Sequence, residues 1–259
     1  MSEQQKPIAI AIDQLCFSYG DRSNVLCDVT LQIQTGDRVG LIGHNGCGKT
    51  TLLMCICGAL APTGGEIRLF DRPLIPGRFY PDVGFLFQDP NDQLFSASVR
   101  EDIAFAPQNM GLSTEEVEYS VNEALRLTGM ENLANRPPHH LSGGEKQMVA
   151  IAGILAMQPR IVLYDEPTAS LDLKARRRLV QFLGQTQETL LIASHDLEFI
   201  LELCDRVILM DAGRIVAQGN PKQVMGDRDL MQQYDLEVPY SLTFLTNTIV
   251  VTTRKILKK

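Results

Sequence analysis

The 259-residue sequence predicts an α/β fold: a mostly parallel sheet, preceded by antiparallel β structure and interrupted by an α-helical insert. Three observations carry this expectation. Short alternating segments with turn punctuation open the chain. Helical periodicity with few strand signals fills roughly residues 89–157. Short, wholly apolar runs then return on either side of a helical segment, as in strands covered on both faces.

In chain order, Ile10–Tyr19 and Leu31–Gln34 alternate and are closed by Thr35-Gly-Asp37, which reads as an antiparallel pair. Arg38–Gly43 is a further strand, followed by an apolar helix over Lys49–Leu60. Ile67–Phe70 and Val83–Phe87 are two more strands. The insert carries helices at Val99–Ala106, Thr114–Thr128 and Glu145–Met157, the second started by the capping-box spacing Ser113-Thr-Glu-Glu116. Ile161–Tyr164, a helix over Leu173–Leu183 and Leu190–Ala193 form a βαβ unit. Val207–Met210 and Ile215–Gln218 close the domain as a hairpin through Asp211-Ala-Gly-Arg214. Ser241–Lys259 reads as a solvated tail or an added edge strand.

Composition narrows the function classes. With 24 Lys+Arg against 31 Asp+Glu, the net charge of −7 argues against broad nucleic-acid binding, which needs a basic face. No apolar run reaches the 18 residues of a membrane span, and Ile8–Ile12 is too short for a signal-peptide core. A cytoplasmic chain is expected. The six cysteines are scattered mostly through apolar segments, and Cys55-Ile-Cys57 lacks zinc-ligand spacing, so they read as reduced thiols.

Two segments point to phosphate chemistry. Gly43-His44-Asn45-Gly46-Cys47-Gly48-Lys49-Thr50, followed by Thr51, fits G-x-x-x-x-G-K-[ST] between a strand and a helix. Its glycines let backbone N–H groups turn inward, and the helix N-terminus adds partial positive charge. Lys49 would reach the β- and γ-phosphates, and the Thr50 hydroxyl would reach Mg²⁺. Ile161–Glu166 ends an apolar strand with two carboxylates. Asp165 would be compensated by Mg²⁺, and Glu166 is placed to orient or deprotonate a water. Taken alone, a glycine turn and a strand-end cap before Pro167 and Thr168 would account for each segment.

Leu141-Ser142-Gly143-Gly144-Glu145-Lys-Gln147 adds a second anion-type helix start, for which Ser142 as an ordinary cap is the plain alternative. Here the sequence resembles the ATP-binding-cassette (ABC) family, whose signature reads LSGGQ or a close variant. The resemblance covers about residues 8–225 and implies a P-loop NTPase core of RecA-like type. It matches Tyr19 to the aromatic that stacks on adenine, Gln88 to the Q-loop glutamine, Ser170-Leu-Asp172 to the D-loop and His195 to the switch histidine. It also implies ATP and Mg²⁺ as ligands, with Thr50, Gln88 and Asp165 on the metal and Glu166 and His195 in catalysis. ATP would lie between two cassettes, the Gly43–Thr50 loop of one facing Ser142–Gly144 and Asp172 of the other. His139 and His140 match no required role, and the imidazole of His44 is read as structural. Cys47 stands where the family commonly has Ser or Ala. A small filler is the favoured reading; nearby N–H groups and Lys49 would nonetheless favour its thiolate, so a reactive cysteine that MgATP protects is a hypothesis set beside it.

The organisation expected is a single cassette over residues 1–225, containing the insert at 89–157, and an extension over 226–259. Phe87–Phe95 and Glu101–Leu112 resemble the ATPase subunits of energy-coupling-factor importers, the group that includes cobalt and nickel uptake systems. Leu94 and Phe95, beside the Asp-Pro-Asn-Asp turn, would suit a partner helix; folding back into the core is the alternative. The resemblance implies a second ATPase subunit, a membrane coupling subunit and a solute-binding membrane subunit as partners, with this chain peripheral on the cytoplasmic face. A soluble ABC ATPase for cofactor or scaffold assembly is the competing reading.

Overall fold

In the computed structural model, which describes residues 6–20 and 23–243, the alternation of apolar residues along the central strands divides the interior into two cores. Strands β1 (Ile8–Phe17) and β2 (Leu26–Gln34) pair antiparallel. They are followed by β3 (Arg38–Ile42), helix α1 (Lys49–Ile56), β4 (Gly64–Leu69), the short β5 (Arg72–Pro73) and β6 (Val83–Leu86). The insert holds α2 (Val99–Asn109), α3 (Thr114–Thr128) and α4 (Gly143–Leu155). Then come β7 (Ile161–Asp165), α5 (Leu173–Leu183), β8 (Thr189–Ala193), α6 (Leu197–Leu203), β9 (Arg206–Asp211), β10 (Arg214–Gly219), α7 (Pro221–Val224) and α8 (Arg228–Gln233).

One sheet runs β2-β1-β4-β5. The other runs β10-β9-β3-β8-β7-β6 and is parallel except for β10. Along β7, Ile161 and Leu163 face α1 and the antiparallel sheet, while Val162 and Tyr164 face the helices of the insert and α5. Both sets are fully buried, as a parallel strand roofed on both sides requires. At Gly40, a Cβ would lie 2.4 Å from Ile200 Cγ2, so only glycine lets α6 sit that close to β3.

The α/β expectation and its antiparallel opening are met, and most element bounds agree within a few residues. α1 stops at Ile56 rather than Leu60, because Gly58 turns with φ +81° and Ala59 and Leu60 both bond back to Met54 O. The capping box Ser113–Glu116 starts α3 as expected. α4 starts at Gly143, earlier than its periodicity indicates, because Ser142 and Glu145 form a second capping box. The expected tail or strand at 241–259 lies, from residue 244 onward, outside the described residues.

The register places the chemistry. Asp165 is level with Ala193, and Ala193 with Leu41, so the carboxyl ends of β7, β8 and β3 open side by side. That edge is where parallel α/β sheets present ligands.

Candidate active site

The loop after β3 folds as its glycines demand. Gly43, Gly46 and Gly48 have φ of +148°, +82° and +110°, and a Cβ at Gly43 would lie 2.3 Å from Met210 O. Lys49 is buried at the start of α1, where its Nζ donates to Gly43 O at 2.7 Å and His44 O at 3.2 Å. No carboxylate forms an ion pair with it among the described residues. A buried ammonium held only by carbonyls is a strong attractor for an anion.

The strand ends supply the opposite charge. Asp165 is buried and its Oδ1 has no partner. Burial pushes its carboxyl above the ordinary range and the Glu166 charge adds to this, against a hydrogen bond from Thr50 and the Lys49 cation. Glu166 turns the chain with φ +48° while its N–H donates to Ala193 O at 2.9 Å. Its Oε2 accepts from His195 N at 3.1 Å and Ser194 Oγ at 3.3 Å, and lies 2.6 Å from His195 Nδ1. The carboxylate and the imidazole are thus one unit.

These groups share a cleft of about 350 Å³. Asn45, Gly46, Gly48, Lys49, Thr50 and Thr51 line one side; Gln88, Asp165, Glu166 and His195 line the other. Tyr19 closes an end, half exposed, its hydroxyl 3.4 Å from Thr51 Oγ1 and its ring edge-on to Phe17. Gly43, His44 and Cys47 belong to the loop but do not line the cleft. Val25 does line it and carries no sequence signal, being an ordinary apolar residue ahead of a strand.

Ser142, Gly143, Gly144 and Asp172 stand apart from the cleft of their own chain. Gly143 and Gly144 pack on Ser170, Leu171 and Ala175, so the signature and the D-loop form one surface. Ser142 Oγ and its N–H both donate to Glu145 Oε2 at 2.8 Å, which holds the Glu145 carboxyl below its ordinary range. Asp172 caps α5 through Ala175 N at 2.7 Å.

Cys47 fits the favoured filler reading, and the reactive-thiolate hypothesis is not supported. It is buried, and burial pushes the thiol up despite Lys49 and nearby backbone N–H groups, so it is a small filler beneath the loop. Desolvation outweighs the local positive charge.

The donor set suits Mg²⁺. Thr50, Gln88 and Asp165 offer a hydroxyl, an amide carbonyl and one carboxylate at the same cleft, all hard oxygens, and Asp165 Oδ1 has no hydrogen-bond partner. Among the described residues no three His, Cys, Asp or Glu side chains cluster as a metal site.

The comparisons agree with this geometry. Residues 26–169 match the ABC transporter family. A putative ABC transporter ATP-binding protein of Synechocystis is 58% identical over 91% of this chain and 83% of its own length. The energy-coupling factor transporter ATP-binding protein EcfA of Methanocaldococcus jannaschii is 41% identical over 87% of this chain and 84% of its own. The structure of cbiO1 from Clostridium perfringens, described as part of the ABC transporter complex cbiONQ, superposes with TM-score 0.78 at 35% identity, covering 93% of this chain and all of that one. With the same sheets, the same insert and a phosphate loop facing paired carboxylates, the chain belongs to the ABC transporter family, as an ATP-binding subunit whose ATP hydrolysis is coupled to transport.

Proposed function

We propose that this chain is the ATPase subunit of an energy-coupling-factor importer, powering uptake of a small solute such as a transition-metal ion or a vitamin through separate membrane subunits. The observation that carries the reading is an apolar groove of about 560 Å³ beside the nucleotide cleft. Phe79, Phe87, Phe95 and Phe105 are all exposed around it, with Phe95 and Phe105 edge-to-face at 4.9 Å. Leu94 is half buried at its wall. Exposed rings in one concave patch fit an apolar helix of another chain. Asp102 adds polarity: its Oδ1 accepts from Phe95 N and Ser96 N, and Oδ2 has no partner. The likeness to EcfA and to cbiO1 supports the importer class. No helix among the described residues is long and apolar enough to cross a membrane, so the spans would belong to partners and this subunit would sit against the cytoplasmic face.

The site residues then take these roles. The loop N–H groups and Lys49 bind the β- and γ-phosphates, exchanging the Gly43 and His44 carbonyls for phosphate oxygens, and Tyr19 stacks on adenine. Thr50, Gln88 and Asp165 would hold Mg²⁺, which when bound would supply neutralisation of developing phosphate charge. Glu166 takes the proton of the attacking water, and His195, tied to Glu166, reads the γ-phosphate. Ser142, Gly143, Gly144 and Asp172 face outward, as they must if they complete the site of a second ATPase subunit, so a lone subunit is nearly inactive. Differential affinity of ATP for the closed pair supplies the conformational work. Phe87 lines the groove and Gln88 the cleft, so consecutive residues join partner and nucleotide.

The test is to capture tagged Glu166→Gln protein with MgATP from detergent-solubilised membranes and identify the co-purifying chains. Recovery of a helical membrane scaffold with a small membrane solute-binding subunit supports the importer. Soluble partners alone would replace it with an assembly ATPase.

A further inference from the structure

The imidazole of His44 has two partners of one kind. Nδ1 lies 2.8 Å from Asn45 O, and Nε2 lies 2.9 Å from Asp211 Oδ1. A carbonyl and a carboxylate only accept, so both contacts need an N–H, and only the imidazolium carries two.

The contact lies on the seam between the phosphate loop and the β9–β10 hairpin. Elsewhere that seam is backbone: Gly213 N donates to Cys47 O at 2.9 Å, and Gly43 is pressed against Met210 O. His44 therefore contributes a side-chain bridge from the loop to the end of β9. Its own carbonyl is one of the two that hold Lys49 Nζ. The ring bonds thus fix the peptides beside the ammonium that meets the phosphates.

Three other titratable or charged groups lie near the His44–Asp211 pair. Arg214 sits opposite Asp211 in the hairpin register. Lys49 approaches from α1. The buried Cys47 thiol is held up chiefly by desolvation and in smaller part by Asp211.

We propose that His44 is a positioning residue: protonated, it bridges Asn45 and Asp211 and holds the phosphate loop in its nucleotide-binding shape, so nucleotide affinity falls as the imidazole loses its proton. The sign follows from the geometry. At low pH both bonds form; at high pH one ring nitrogen faces an acceptor without a proton, and the loop loosens. By linkage, bound nucleotide must favour the protonated ring to the same extent.

The experiment measures binding of a fluorescent ADP analogue with Mg²⁺ from pH 6 to 8.5 to the full chain and to His44→Gln and Asp211→Asn. The ligand's own ionisation is common to all three. The wild-type chain is expected to lose about two- to fivefold more affinity across this range than His44→Gln, the scale of a half-exposed ion pair. Asp211→Asn should move the wild-type dependence to lower pH. An equal loss in His44→Gln at every pH would reduce His44 to a packing role and overturn the proposal. Histidine NMR of the wild-type chain provides a readout that does not require a variant to fold well, since only four histidines are present. The proposal requires one titration midpoint, assigned to His44 by comparison with the variants, to rise on adding the analogue, and an unmoved midpoint rejects it.

Discussion

The nucleotide cleft and the apolar groove meet at Phe87 and Gln88, yet they are built on opposite principles. The cleft collects polar groups at the ends of buried parallel strands: Lys49 with no carboxylate among the described residues, Asp165 Oδ1 without a donor, and amides of a turn whose backbone shape glycine adopts freely. The groove collects exposed rings from the end of β6 and the edge of the helical insert. One surface asks for charge and the other for carbon. A subunit that converts nucleotide occupancy into movement of another chain needs both, and needs them adjacent.

The comparison breaks most visibly at Glu166. Glu166→Gln should keep nucleotide binding and lose hydrolysis by roughly 10²–10⁴-fold, the usual worth of a positioned base. Near-normal turnover would remove Glu166 from the chemistry. Phe95→Asp tests the other surface. Nucleotide affinity should be unchanged, and stability should move by less than about 1 kcal/mol because the ring is largely exposed. Capture of membrane partners should be lost; normal assembly and transport in this variant would refute the docking role of the groove. A smaller effect sharpens the contrast from within the cleft. Asp165→Asn removes a buried carboxylate with an orphan oxygen, so the nucleotide-free chain should gain about 1 kcal/mol, or roughly 2–4 °C in Tm, while Mg²⁺-dependent turnover collapses. A lower Tm would show that Asp165 is already satisfied without the metal.

The smallest effect is at the signature. Hydrogen bonds from Ser142 hold the Glu145 carboxyl below its ordinary range, so its stabilisation is complete above the unfolded value and is lost as pH falls through the lowered folded value. Glu145→Gln should flatten that acid-side slope in melting temperature. An unchanged slope would mean that the capping box is not formed in solution.

The cleft was largely legible in the sequence because its residues cluster in short segments whose spacing is dictated by phosphate geometry. The Gly43–Thr50 loop, Asp165, Glu166, Gln88 and His195 fall where strand ends must bring them. The groove was legible only at Leu94 and Phe95, beside an obvious turn. Phe79 and Phe105 are distant in the chain and ordinary in pattern, and only the packing of the insert against β6 brings them together. His44 shows the same limit: its ring looks idle until β9 delivers Asp211. At Cys47 the favoured filler reading stands: local charge argues for a thiolate, and burial outweighs it.

Glu166 is one of nine non-glycine residues with positive φ among the described residues; the others, in turns, loops or the irregular stretches of β1 and β2, are exposed or half-buried, and Glu166 alone is buried. Glycine would take up that backbone shape without steric cost, whereas a larger residue forfeits on the order of 1 kcal/mol. The chain therefore keeps at the end of β7 a residue that its own folding would trade away. Where backbone shape and residue type disagree inside a well-packed interior, the disagreement itself marks a position retained for work, and it can be found from torsion angles and burial with no motif in hand.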